Sequence, residues 1–161
     1  MKIMAKIAAR LYETDFVAWA EQTAQEIRAL ASHGDPQQFD RLDWEAIAEE
    51  IESLGRSERR ELKSRLEVLL QHLLKWQYQP NRRSGSWRNT IDEQRNRLID
   101  LLQESPSLRP YLAKVLAECY QRGRKAASNE TELEIDIFPV ECRFSIAQIF
   151  HAEFLPNAVS E

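Results

Sequence analysis

The sequence predicts an all-α protein, a single compact bundle of about five main helices with an irregular C-terminal segment. Three observations carry that reading. Apolar residues recur at helical spacing through most of the chain, capping residues stand ahead of the periodic runs, and only 4 of 161 residues are glycine while 30% are charged. That balance fits long solvated helices better than a turn-rich β architecture. With 43% hydrophobic residues the chain can build a core, and its length fits one domain. The layout expected is a partly ordered leader over residues 1–10, one helical domain over 11–156 and a tail over 157–161.

Thr14 or Asp15 can cap a first helix whose apolar stripe is Phe16, Trp19, Thr23, Ile27 and Leu30. The cluster His33-Gly34-Asp35-Pro36 should end it. Asp43 caps the next helix, with Ile47, Ile51 and Leu54 facing inward; Ala46 at the third position leaves this cap without the reciprocal glutamate of a capping box. Gly55 then interrupts the pattern, and Ser57 with Glu58 and Glu61 can start a fresh turn, so a kink or break is expected. Uninterrupted, the segment from Asp43 to Tyr78 would be a rod of roughly 54 Å at about 1.5 Å per residue.

Leu62, Leu66, Leu69, Leu70, Leu73 and Leu74 make the most apolar helical face in the chain, which marks a central helix. It stops before Pro80, because the residue preceding a proline is disfavoured in α geometry. Asn81 to Ser86 reads as a polar connection, and Trp87, Ile91, Leu98, Leu101 and Leu102 define another amphipathic helix ending near Ser105-Pro106. Ser107 can cap a further helix with Leu108, Leu112, Val115, Leu116, Cys119 and Tyr120 inward, where Pro110 is tolerated in the first turn. Beyond Ser128 the periodicity fades. Glu132 to Ile137 alternates acidic and apolar residues but a lone strand would have no partner, so ordered coil is expected. Ser145 caps a last short turn, and Phe150, Phe154 and Leu155 can anchor the tail.

Composition also excludes function classes. No window approaches the roughly 18 apolar residues of a membrane span, and the apolar stretch of the leader is broken by Lys6 and too short for a signal sequence. A soluble, cytoplasmic protein is expected. Cys119 and Cys142 form no CxxC pair and no histidines stand at finger spacing, so they read as two reduced, largely buried thiols. The net charge of -4 is uneven: residues 56–95 hold ten basic and five acidic side chains, net +5, leaving -9 for the rest.

Four separated motifs form an ordered pattern: Ala48-Glu49-Glu50-Ile51-Glu52-Ser53-Leu54-Gly55, His72-Leu73-Leu74-Lys75-Trp76-Gln77-Tyr78-Gln79-Pro80, Ser86-Trp87-Arg88 and Phe138-Pro139-Val140-Glu141-Cys142. Together they resemble the bacterial, cyanobacteria-rich family catalogued as domain of unknown function twenty-nine, over about Leu11 to Pro156. The resemblance implies an all-helical domain. It implies no activity, and no catalytic residue is carried over from it.

The candidate ligand surface lies between His72 and Arg88. His72, Lys75, Trp76 and Gln79 share one helical face, and Arg82, Arg83, Trp87 and Arg88 follow. Arginines bind phosphates bidentately and an indole can stack on a base, which fits a nucleotide or single-stranded nucleic acid. The competing structural reading packs Trp76 and Trp87 across a helix corner, with the arginines on carboxylates such as Glu49, Glu50 or Glu52. His72 reads as a hydrogen-bonded edge histidine rather than a ligand or base.

Glu45, Glu49 and Glu52 share a face flanked by Glu50, and Glu49 with Glu52 are the candidate metal ligands. A diiron site would need Glu-x-x-His pairs, but Leu69 and Leu30 stand three residues before His72 and His33. A helical pyrophosphohydrolase would need a second acidic pair; Asp92-Glu93 with Asp100 does not reproduce its spacing. No GxSxG, P-loop or GxGxxG motif is present, and His33, His72 and His151 have no local nucleophile pattern. No cofactor is expected. The reading is therefore a non-enzymatic interaction module that binds a protein partner or itself, through the basic tryptophan-bearing face or an apolar flank. The alternatives are a nucleic-acid or nucleotide binder and, behind it, a metal-dependent phosphohydrolase.

Overall fold

The computed structural model describes residues 10–33 and 42–159. The expectations for the leader before residue 10, for Gly34-Asp35-Pro36 and for the last two residues of the tail fall outside these. Among the described residues the chain is helical and without strands: α1 (Phe16–His33), α2 (Trp44–Tyr78), α3 (Gly85–Glu104), α4 (Leu108–Thr131) and the short α5 (Ile146–Phe150), with 3-10 turns at Pro80–Arg82 and Ile135–Ile137. The all-α expectation holds. No helix among the described residues is long and apolar enough to cross a membrane.

The described residues fall into two compact units. One comprises residues 10–33, 42–60 and 101–108; the other comprises 61–100 and 109–159.

In the first unit the caps behave largely as read. Asp43 Oδ1 accepts the Ala46 amide at 2.9 Å. Of the two candidates before α1, Asp15 is the cap, its Oδ1 accepting the Ala18 amide at 3.0 Å, while the Thr14 hydroxyl donates back to the Arg10 carbonyl. Ser107 departs from expectation. Its amide and hydroxyl both donate to Asp15, each at 2.7 Å, because Pro110 occupies the third helical position and has no amide to offer a serine cap. Ser105, fully buried, accepts the Val17 amide at 3.2 Å.

Two expectations about packing are corrected. The helix does not break at Gly55; α2 runs through it without interruption. A glycine in a helix interior costs about 1 kcal/mol, which packing on both sides of it outweighs. Moreover, the buried residues of α1 are Val17, Ala20 and Ala24, not the stripe of Phe16, Trp19, Thr23, Ile27 and Leu30. On α2, Ala48 and Gly55 are buried while Leu54 is exposed. A β-carbon at Gly55 would lie 3.6 Å from the Ala20 Cβ and 3.7 Å from a Val17 methyl. Small residues thus line the contact of the two helices, and close backbone approach leaves the larger apolar groups at its edge.

The second unit holds the leucine face. Leu62, Leu66, Leu69, Leu70, Leu73 and Leu74 are at most 1% exposed, each worth roughly 1.5–3 kcal/mol of burial. Ile91, Leu98, Leu112, Val115, Cys119 and Tyr120 complete the core as expected. Gly123 sets the spacing of α2 and α4, since a β-carbon there would stand 2.9 Å from the Glu67 carbonyl oxygen and 3.1 Å from the Gln71 nitrogen. The helix α4 continues past Ser128 to Thr131, whose hydroxyl donates to the Ala127 carbonyl at 2.7 Å. Glu132, with φ of 60°, ends it in the left-handed region.

Ser145 caps α5 in a full capping box with Gln148. The tail is held less by Phe150, Phe154 and Leu155, all half-buried, than by Arg95. Its guanidinium donates to the carbonyls of Ile149 at 2.8 Å, Ala152 at 2.9 Å and Phe154 at 3.0 Å. Both cysteines are free, Cys119 buried and Cys142 half-buried. Burial pushes the Cys119 thiol up to about 11 and also raises that of Cys142, so neither is a ready nucleophile.

Candidate functional site

The segment from His72 to Arg88 is a helix corner in the second unit. Pro80 ends α2, a single 3-10 turn follows, and the Ser84 hydroxyl accepts the Trp87 amide at 3.2 Å to start α3. This brings the two indoles under two cations. Lys75 Nζ lies 4.5 Å from the centre of the Trp87 ring, and the Arg83 guanidinium lies 5.1 Å from that of Trp76.

Most of these cations are already engaged. Lys75, buried, donates to Glu130 Oε2 at 2.5 Å. Arg83 Nε donates to the Trp76 carbonyl at 2.8 Å, leaving its buried Nη2 without a partner. Arg88 pairs with Asp92 at 3.4 Å and Glu153 at 3.5 Å. Together with Arg95 these three line a cavity of about 210 Å³, where two carboxylates offset two guanidiniums. Arg82 is exposed and forms no ion pair with a described residue. His72 Nδ1 donates to the Val68 carbonyl at 2.9 Å, and burial first, with Lys75 adding to it, holds its pKa below the usual 6.5. Of the candidate cations Lys75 and Arg88 therefore find carboxylates, but Glu130, Asp92 and Glu153 rather than Glu49, Glu50 or Glu52, while Arg83 finds a carbonyl.

The acidic face of α2 belongs to the first unit and is laced to arginines. Arg28 Nε meets Glu45 at 2.9 Å, and its Nη2 meets Glu52 at 2.9 Å and Glu49 at 3.5 Å. Arg56 meets Glu49 at 2.5 Å and Glu52 at 3.7 Å. Glu49 and Glu52, the candidate metal ligands, thus each face two guanidiniums, the opposite of an open carboxylate site for a cation. Among the described residues no group of three or more His, Cys, Asp or Glu side chains is placed to hold a metal ion.

A third surface emerges only from the packing. Arg28 faces Glu45 while Glu21 pairs with Arg59 at 2.6 Å, so α1 and α2 run antiparallel with the ion pairs along one flank. At about 100° per residue, Trp19, Ile27 and Leu30 on α1 and Ile47, Ile51 and Leu54 on α2 lie on the other side of the small-residue contact line. In an antiparallel pair equal rotational offsets point to the same side, so these two stripes border one apolar band. Along it Tyr12, Leu30 and Leu54 are 56%, 62% and 45% exposed. Tyr12 packs edge-on against Trp19 at 4.9 Å and against Phe16 at 6.1 Å. The signal in the sequence was the pairing of large apolar residues with alanine and glycine one position away; only the packing says which set is buried.

A search of curated proteins finds no match. Among solved structures the chain is similar to an α-helical protein of unknown function from Rhodospirillum rubrum ATCC 11170, with 25% identity over 89% of this chain and 90% of that one, at a TM-score of 0.71. The family model described as Domain of unknown function DUF29 matches residues 11–155, nearly the whole chain and the span over which its motifs run, and the chain belongs to that family.

Proposed function

We propose that this chain is a helical interaction module that binds a protein partner through the apolar flank of α1 and α2. The observation that carries this is the exposure of Tyr12, Leu30 and Leu54 alongside the half-buried Phe16, Trp19, Ile27, Ile47 and Ile51. Singly exposed leucines are ordinary; a contiguous band on a helix pair is the kind of patch that marks an interaction surface. The flank opposite it is closed by ion pairs of Arg28, Arg56 and Arg59 with glutamates.

The test is capture from lysate by the full chain, in parallel with a Leu30→Ser, Leu54→Ser variant whose helicity is checked by circular dichroism. Proteins retained by the native chain and lost from the variant are expected. An unchanged set, or none, overturns the proposal.

The nucleic-acid alternative draws its support from exposed Arg82, in the turn of the helix corner that carries Trp76 and Trp87. Fluorescence titration with short single-stranded oligonucleotides at two salt concentrations separates the readings. A saturable, salt-sensitive change lost in Arg82→Ala with Arg83→Ala would favour that alternative.

A further inference from the structure

The band lies in the more acidic of the two units. The described residues of the first unit hold eleven acidic and five basic side chains, net -6. Three of the five cations, Arg28, Arg56 and Arg59, are engaged in ion pairs with glutamates of that unit. Glu26 stands four residues before Leu30, and Glu50 four before Leu54, so a carboxylate neighbours each exposed leucine on its helix surface. Neither glutamate forms an ion pair with a described residue, although Glu26 accepts a hydrogen bond from Gln22 at 2.8 Å.

The described residues contain no strand, so they offer no sheet edge to which an extended peptide could add. Affinity must come from side chains packed into the ridges of two antiparallel helices, the arrangement that receives a third helix. A second copy docking through the same face would set acidic rim against acidic rim, and like charges across an interface cost affinity. A polyanion is disfavoured for the same reason.

We infer that the band takes an amphipathic helix of another protein whose apolar stripe is bordered by lysine or arginine. This rests on the protein-binding reading above and adds the chemistry of the partner. Leu30 and Leu54 supply apolar contact, and Glu26 and Glu50 meet the partner's cations and reject acidic helices.

The experiment uses two synthetic amphipathic peptides of equal length and equal leucine stripe, one with lysine and one with glutamate on the polar face. Each is labelled and titrated with the full chain, reading fluorescence anisotropy. The leucine-lysine peptide should saturate, and the leucine-glutamate peptide should bind about tenfold or more weakly, equivalent to about 1.4 kcal/mol. Leu30→Ser with Leu54→Ser should weaken the lysine peptide about tenfold, as truncation of central apolar anchors does. Glu26→Lys with Glu50→Lys should narrow or reverse the preference between peptides. Equal binding of both peptides, binding of neither, or lysine-peptide binding indifferent to all four substitutions overturns the inference. Lysate capture fails separately: leucine-dependent capture with equal peptide affinities would remove the cationic helix and keep the protein-binding face.

Discussion

Lys75 stands with its ammonium 4.5 Å from the centre of the Trp87 ring and 2.5 Å from Glu130, joining α2 to both α3 and α4 within one unit. Its side chain is 7% exposed and that of Glu130 is 53% exposed. The two ends of this ion pair therefore respond differently to removal. Glu130→Gln leaves a buried charge without its counter-ion and should cost about 2 kcal/mol, whereas Lys75→Met keeps the stem packed, frees a carboxylate that water can reach, and should cost about 1 kcal/mol or less. Denaturant midpoints of the two variants check the order. The reverse order would mean that the contact with Trp87 outweighs the charge pair.

Two glycines in long helices should behave oppositely. Gly55→Ala places a methyl at ordinary contact distance from Val17 and Ala20 and should stabilise by about 0.5–1 kcal/mol through helix propensity. Gly123→Ala drives a methyl to 2.9 Å from a backbone oxygen of α2, and neither helix can yield without moving its backbone. A loss of about 1–3 kcal/mol is expected. Thermal or urea unfolding of the two variants measures both signs.

Arg95 replaces an apolar anchor for the tail with three charge-assisted hydrogen bonds to carbonyls. Lysine cannot reproduce that planar fork. Arg95→Lys should cost about 2–4 kcal/mol and expose the region after Phe144 to limited proteolysis, while the long helices stay protected. Cleavage within α3 or α4 as early as in the tail would show that Arg95 holds the unit rather than the tail.

His72 gives a pH dependence of known sign. Burial lowers its folded pKa below the unfolded 6.5, so the unfolded chain takes up its proton first as pH falls. The contribution of His72 to stability is present above pH 6.5 and is lost as pH drops below that value toward the folded pKa. Comparing urea midpoints at pH 7.5 and 5.5, His72→Gln should show a smaller acid loss than the native chain. Equal losses would overturn the assignment to His72, because Glu118 and Glu130, whose lysine partners lower their pKa, lose their contribution only as pH falls below the ordinary carboxylate range.

Much of the architecture was legible along the chain. The leucine run from Leu62 to Leu74, the stop at Pro80, the Asp43 cap and the Ser145 cap each rest on interactions within a few residues, and each lies where local chemistry puts it. The candidate site was legible in a weaker sense. Spacing brought Trp76, Arg83, Trp87 and Arg88 to one corner, but Glu130 is 55 residues from Lys75 and Glu153 is 65 from Arg88, and no local pattern names partners so distant. Arg95 was missed for the same reason, because its three acceptors are carbonyls in a tail more than fifty residues away.

What the sequence determined by itself is the helical fold, the ends of most helices and the leucine-lined face, because periodicity, caps and proline act over a turn or two. Only the tertiary structure decided which stripe of α1 is buried, why α2 survives Gly55, and that Asp15 rather than a helix amide receives Ser107. Those outcomes depend on how closely two backbones approach. Val17, Ala20, Ala24, Ala48 and Gly55 permit an approach that leaves Trp19, Leu30 and Leu54 at the edge, and packing density across that contact outweighs the hydrophobicity of any single stripe.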